Sequence, residues 1–269
     1  MVTSSLRGVR APKTRRGKRI LEKREPQKQE GSKQAVFLRG STASGKVTQV
    51  LKDLVAIRKS CSSFFGRKND VRPFEDIAPV EQFARQHGAA IFGVGSHSKK
   101  RPHNVVLGRL FNEHLLDMFE LGVDFFLPIS MFPSTSKVAE GTKPLVVFNG
   151  EPFVADREWQ QLRNLFLDVF RGETVESVRL QGLEMLIQVT ALPEGRLLFR
   201  CFRLHLKKSG TRIPRVELEE CGPRIDFSLR RSKLASEDLM KAACRQPKEL
   251  KARRKKNVAK DALGSTLGR

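Results

Sequence analysis

Ala35-Val36-Phe37-Leu38-Arg39-Gly40-Ser41-Thr42-Ala43-Ser44-Gly45-Lys46-Val47 is where the chain first turns apolar, and its grammar decides the fold class. Four apolar residues closed by a glycine read as a short buried strand. Val47, Val50, Leu51, Leu54, Val55 and Ile57 then recur at helical spacing, which predicts a helix over 46–59 with one apolar side. The same move returns about 110 residues later. Leu145-Val146-Val147-Phe148 is closed by Gly150, and a helix is predicted over 159–171 with Leu162, Leu165, Phe166, Val169 and Phe170 inward. A strand, a glycine and a helix, met twice, predict an α/β protein of two related halves.

Working outward, 64–70 reads as a loop interrupted by Pro73, and 78–86 as a short helix with Pro79 at its start. A strand is expected over 89–95, then an exposed basic turn over 96–104 that carries Lys99-Lys100-Arg101-Pro102. Leu107, Leu110, Phe111, Leu115, Met118 and Phe119 form a helical stripe, so a helix is expected over 105–123. Strands follow at 183–192, 196–206 and 212–219, the last two joined by a turn at Lys207-Lys208-Ser209-Gly210. The pattern dissolves after Leu229. Ser236 then caps a helix through Ala243, with Glu237 and Asp238 in its first turn. Residues 248–260 are highly basic with helix-compatible spacing, a segment expected to order on a partner.

Charge divides the chain more sharply than hydropathy does. The net charge is +22, and it sits at the ends. Residues 1–34 carry 11 Lys/Arg against 3 Glu, and 230–269 carry 13 against 4 acidic residues. The middle, 35–229, holds 27 basic and 22 acidic residues, close to balance. The expected organisation is a basic arm over 1–33, a folded body over 34–229 with halves at 34–130 and 142–229, and a basic extension over 230–269. Such arms attract a polyanion. DNA would satisfy the same electrostatics, since phosphate contacts carry no sequence information. A localisation signal, or a body that only docks proteins, are the other readings of two basic arms.

Several function classes find no support. No apolar run reaches the ~18 residues of a membrane helix, and the N-terminus has no apolar core for a secretory signal. Arg253-Arg254-Lys255-Lys256 lack an apolar face beside them, which argues against a membrane surface. Cys61, Cys201, Cys221 and Cys244 are scattered without metal-ligand spacing, so no metal is expected and reduced thiols are. Gly40-Ser41-Thr42-Ala43-Ser44-Gly45-Lys46-Val47 has the spacing of a nucleotide-binding P-loop, but Val47 stands where a Ser or Thr hydroxyl should hold Mg²⁺. No downstream apolar strand ends in the partner Asp. A P-loop-like nucleotide-binding protein using 40–47 is the alternative reading, and neither a cofactor nor a catalytic residue is expected.

Certain longer strings carry a resemblance. Arg67-Lys68-Asn69-Asp70-Val71-Arg72-Pro73-Phe74-Glu75-Asp76, Lys143-Pro144 leading to Phe148-Asn149-Gly150, and 165–173 are three of them. Arg212-Ile213-Pro214-Arg215-Val216-Glu217-Leu218, then Gly222-Pro223-Arg224-Ile225-Asp226-Phe227, and finally Lys255-Lys256-Asn257-Val258 complete the set. In order, they resemble the Brix-domain family, and within it the ribosome production factors of the large subunit. That resemblance implies a Brix-type fold of two pseudo-symmetric halves, similar to anticodon-binding domains. It further implies a nucleolar, non-enzymatic factor that binds 5S and large-subunit rRNA. With a dedicated assembly partner, and with large-subunit ribosomal proteins of the 5S particle, such a factor acts on the pre-60S particle.

The expected RNA contacts are Lys13, Arg15, Arg16, Lys18, Arg19, Lys23 and Arg24 on the first arm, and Arg253, Arg254, Lys255 and Lys256 on the second. On the body they are Arg67, Lys68, Lys99, Lys100, Arg101, Arg212, Arg215 and Arg224, the last of which could equally fix a turn. With no tyrosine in the chain, stacking on bases falls to Phe, His or Arg.

Overall fold

β1 (Ala35–Gly40) is buried almost throughout and lies inside a ten-stranded mixed sheet. The structure is a computed structural model that describes residues 14–17, 32–133, 138–139, 142–172, 178–179, 182–211 and 213–244. Ser32–Arg245 form one unit; 1–31 and 246–269 form another, of which 14–17 are described, Arg15 to Gly17 as a helical turn. After β1 come α1 (Gly45–Ile57), β2 (Ser62–Asn69), α2 (Ala78–His87) and β3 (Ile91–Ser96). β4 (Asn104–Phe111), β5 (His114–Leu127), β6 (Leu145–Asn149), α3 (Pro152–Ala155) and α4 (Arg157–Phe170) follow. The chain continues with β7 (Met185–Ala191), β8 (Arg196–Lys207), β9 (Arg215–Glu220), β10 (Arg224–Lys233) and α5 (Glu237–Ala243).

The strand order is β2-β1-β3-β4-β5-β10-β8-β7-β6, with β9 paired to β8. Leaving aside β2 and β9, it reads the same from either end. β1 and β3 are parallel, as are β6 and β7; every other junction inward is antiparallel. β5 and β10 meet in the middle as an antiparallel pair, Gly122 opposite Ser228. The two halves are thus related by a pseudo-dyad between β5 and β10. Gly40 and Gly150 occupy equivalent places in it. A Cβ on Gly40 would lie 2.4 Å from the Gly95 carbonyl oxygen of β3, and one on Gly150 2.3 Å from that of Ala191 on β7. The strand closed by glycine, read twice in the sequence, is a steric requirement imposed by the neighbouring strand.

One face of the sheet is covered along its length. Val47, Val50, Leu51 and Leu54 of α1 and Leu162, Leu165, Phe166 and Val169 of α4 pack into a single core with Phe37, Phe119, Phe199 and Phe227. Burying each such phenylalanine contributes roughly 1.5–3 kcal/mol. Ser44 starts α1 by accepting from the Val47 amide (3.3 Å), and Asp156 starts α4 by accepting from the Glu158 amide (3.0 Å). Among the described residues, the other face is covered over the first half only. There Val80 and Ala84 of α2 pack on Val36, Leu38, Phe92, Val94, Val106 and Met118.

Three expectations are corrected. Residues 105–123 are not a helix but most of the β4–β5 hairpin, turned at Asn112 and Glu113, both at positive φ (50° and 69°). These strands lie between two packed layers, so Val105 to Leu107 and Leu116 to Val123 are buried without alternation. The strand period is thereby erased, and a chance helical spacing was left to read. Residues 64–69 are not a loop but part of β2, a parallel edge strand whose Phe64 and Phe65 go to opposite cores. Its remaining side chains are polar because the edge faces solvent. Lastly, regular structure does not end at Leu229: β10 runs on to Lys233 against β5. The expected helices at 46–59, 78–86, 159–171 and 236–243 and the strands at 35–38, 89–95, 145–148, 183–192 and 196–206 are all present within a few residues.

Candidate nucleic-acid interface

β1, β2 and β3 are mutually parallel, so their carboxyl ends and the loops that follow fall at one end of the sheet, where open α/β sheets place their ligand sites. Two contacts tie those loops together. The Ser41 amide donates to the Asn69 carbonyl (2.8 Å), and the His97 amide donates to Thr42 Oγ1 (3.4 Å). Arg67 and Lys68 near the end of β2, and Lys99 and Lys100 in the turn after β3, therefore belong to the same end. All four are exposed, and none is in an ion pair among the described residues. Arg101 is in that turn too, its guanidinium 3.8 Å from the Glu120 carboxylate. Arg72 is paired with Glu75 (3.1 Å).

The P-loop-like segment is at this end as well, with its chemistry already committed. Lys46 Nζ donates to the carbonyls of Val123 (3.2 Å) and Asp124 (2.8 Å) on β5. Ser44 Oγ is engaged with His103 Nδ1 (2.9 Å), and Thr48 Oγ1 donates to the Ser44 carbonyl (2.9 Å). Val47 is fully buried where a Mg²⁺ ligand would stand. Desolvation, then Lys46, His97 and Arg230, hold His103 below the ordinary imidazole value, so it serves as a neutral partner at pH 7.

Other predicted contacts lie elsewhere. Arg215, at the start of β9, is exposed and 3.3 Å from Glu217. Arg224 pairs with Leu127 at the far end of β5, seven residues from Glu120 and so roughly 23 Å away. Its Nε lies 3.2 Å from Glu220. That pair spans a bulge around the cis Gly222–Pro223 bond, where Cys221 to Arg224 stand against only Arg200 and Cys201 of β8. Arg224 thus flanks the turn at Gly222–Pro223, far from the basic end of the sheet. Arg15 and Arg16 are exposed in the helical turn at 14–17. Lys13, Lys18, Arg19, Lys23, Arg24, Arg212, Arg253, Arg254, Lys255 and Lys256 lie outside the described residues.

Sequence reasoning missed Arg230 and Arg231, which it left in the basic extension. β10 carries them to this end: Arg230 donates to the Pro102 carbonyl (2.9 Å) and Asn104 Oδ1 (3.2 Å), while Arg231 lies over the Phe74 ring (4.1 Å) and binds Glu120. It missed a second surface too. In the second half the sheet face away from α4 presents Val147, Leu198, Phe202, Leu204, Val216 and Leu218, all partly or fully exposed. No helix among the described residues covers it. The signal was available in the spacing: residues 58–90 supply β2 and α2 to the first half, whereas only 171–184 separate α4 from β7.

Among the described residues no group of His, Cys, Asp or Glu is arranged to hold a metal ion, and no helix is long and apolar enough to cross a membrane. Cys61, Cys201 and Cys221 are buried free thiols, and Cys244 is exposed.

Comparison with known proteins gives the lineage. A family model described as the Brix domain matches residues 40–231. The ribosome production factor 2 homolog of Mus musculus is 47% identical over 97% of this chain and 85% of its own length. That of Drosophila melanogaster is 48% identical, over 98% and 82%. The ribosome biogenesis protein RPF2 of Saccharomyces cerevisiae is 38% identical, over 96% and 78%. Among solved structures, an archaeal Imp4-like protein aligns over 75% of this chain and 99% of its own, with 12% identity and a TM-score of 0.38. With a domain match across most of the body and such identities over nearly the whole length, this chain belongs to the Brix-domain family, among the ribosome production factor 2 homologues.

Proposed function

We propose that this chain is a non-catalytic assembly factor of the large ribosomal subunit, working in the nucleolus. It binds rRNA and, with a partner protein, helps to bring the 5S rRNA particle with its ribosomal proteins into the pre-60S particle. The relatives' names support a ribosome biogenesis role. The observation that carries RNA binding is the convergence of Arg67, Lys68, Lys99 and Lys100, free of ion pairs among the described residues, at the carboxyl end of the parallel strands. Cations already paired release few counterions on meeting phosphate; free ones release all of theirs. In this reading the arms add phosphate-neutralising charge of their own, and the body supplies selectivity.

The uncovered face of the second half is the proposed seat of the partner protein. Its occupant is an amphipathic helix of that partner, because the pseudo-dyad places α2 over the equivalent face of the first half. Nucleotide binding through 40–47 is disfavoured by the two carbonyls that hold Lys46.

The test is a chain with Arg67, Lys68, Lys99 and Lys100 all changed to Ala, titrated with 5S rRNA at several salt concentrations. Each lost phosphate contact should flatten the log–log salt slope by about 1. An unchanged slope and affinity, with the circular dichroism spectrum intact, would remove this end of the sheet from the RNA interface.

A further inference from the structure

A cavity of about 270 Å³ opens at the proposed RNA-binding end, between the 71–75 loop, the turn after β3 and the β5–β10 seam. Its size is just under the ~300 Å³ at which drug-sized sites begin, which leaves room for one small ring system. Its polarity is graded from floor to rim. At the floor is Glu120, whose side chain is 2% exposed. One carboxylate oxygen accepts from Asn104 Nδ2 (2.7 Å) and the other from Arg231. An ionised carboxylate offers about four acceptor positions, so capacity remains for a further donor. The walls include planar groups: the Phe74 ring with the Arg231 guanidinium over it, and the His97 imidazole. At the rim stand Arg72, paired with Glu75 (3.1 Å), and Arg101, 3.8 Å from Glu120. Lys99 and Lys100, unpaired among the described residues, continue the turn and give the mouth its net positive charge.

An acceptor at the bottom, flat walls and a cationic mouth complement one kind of ligand. We propose that this cavity takes a single unpaired nucleotide extruded from an RNA helix, its base inserted and its phosphates held at the rim. The inference rests on the RNA-binding reading and sharpens it. A bare inorganic anion is refused by Glu120, and an arginine or lysine side chain by the rim. The base stacks on Phe74, His97 or Arg231, as unpaired bases do on aromatic and guanidinium planes. An exocyclic amine directed at Glu120, such as cytosine N4, matches the carboxylate–amine pairing known for base readout. Uracil presents a carbonyl oxygen at that position and is disfavoured.

The experiment uses the full chain and three RNA duplexes of one length: fully paired, with one bulged cytidine, and with one bulged uridine. A Ser98→Trp variant, which blocks the mouth without removing a charge, is titrated beside the wild type and beside Ser98→Ala. The latter alone removes the hydrogen bond from the Arg101 amide to the Ser98 hydroxyl (3.1 Å) and should keep the preference. Thermal melting checks that the variant folds. The wild type should bind the bulged-cytidine duplex about tenfold more tightly than the paired one, the order expected for one stacked base. The bulged-uridine duplex should fall between. Ser98→Trp should abolish the preference while leaving affinity for the paired duplex and its salt slope unchanged. If the wild type binds all three duplexes equally, the cavity inference is overturned and RNA binding by the surface stands. If it binds none of them more tightly than duplex DNA of the same length, RNA selectivity fails and the inference falls with it.

Discussion

Asp168 shows how single residues hold the two halves together. Its carboxylate, at the C-terminal end of α4, meets Arg109 of β4 (2.8 Å) and Lys33 (2.9 Å), and Arg109 also grips the buried Asp117. Arg58, at the end of α1, donates to the Asp168 (3.1 Å) and Val169 carbonyls, supplying positive charge where the helix dipole is negative. Burial works against the Asp168 charge, but Arg109 and Lys33 outweigh it and hold the carboxyl below its ordinary value. A depressed folded-state pKa contributes stability that is present above the unfolded value of 3.8 and is lost as pH falls through that value towards the folded one. Asp168→Asn should therefore cost about 3 kcal/mol at pH 7, measured by urea denaturation. The difference from wild type should shrink below about pH 4. A pH-independent difference would mean that the residue acts through shape alone. None of this lattice was legible in the sequence, because Arg58, Arg109 and Asp168 come from three elements whose packing no spacing reveals.

At the scale of elements, what was legible depended on how many faces an element shows to water. Helices α1, α2 and α4 are buried on one side and kept their period; β4 and β5 are buried on both and lost it. The two glycine-closed strands were readable because the steric demand falls on one residue. Gly40→Ala and Gly150→Ala should each destabilise the fold by about 2 kcal/mol or more, since each Cβ would press on a carbonyl of the adjacent strand. Gly150→Ala should be the worse, because Gly150 also sits at φ +114°. Negligible effects of both substitutions in thermal melts would refute the steric requirement assigned to the two positions. The uncovered face makes a separate prediction. Val216→Lys with Leu218→Lys, at side chains 54% and 48% exposed, should change stability by less than about 1 kcal/mol. The same pair should weaken association with the purified partner protein more than tenfold by calorimetry. If the wild type instead sediments alone as a dimer that the variant dissolves, a second copy of this chain occupies that face.

For the whole molecule, charge placement was the most legible feature and strand pairing the least. The excess of basic residues at both ends is a property of sequence alone, whereas the meeting of β5 and β10 joins strands about a hundred residues apart. The division of labour that results is a balanced body presenting one cationic sheet end and one apolar face, with basic arms at its termini. Its central claim is that arms and sheet end together bind RNA as an electrostatic surface on an RNA-selective body. The direct test is the salt dependence of binding to 5S rRNA and to duplex DNA of equal length. It compares the full chain with one whose Lys13, Arg15, Arg16, Lys18, Arg19, Arg253, Arg254, Lys255 and Lys256 are all changed to Gln. Tighter binding of RNA than of DNA near 0.15 M salt is predicted, with the RNA slope flattened by several units in the neutralised chain and the preference for RNA retained. Equal affinity for both nucleic acids, with slopes that neutralising the arms leaves unchanged, would contradict it.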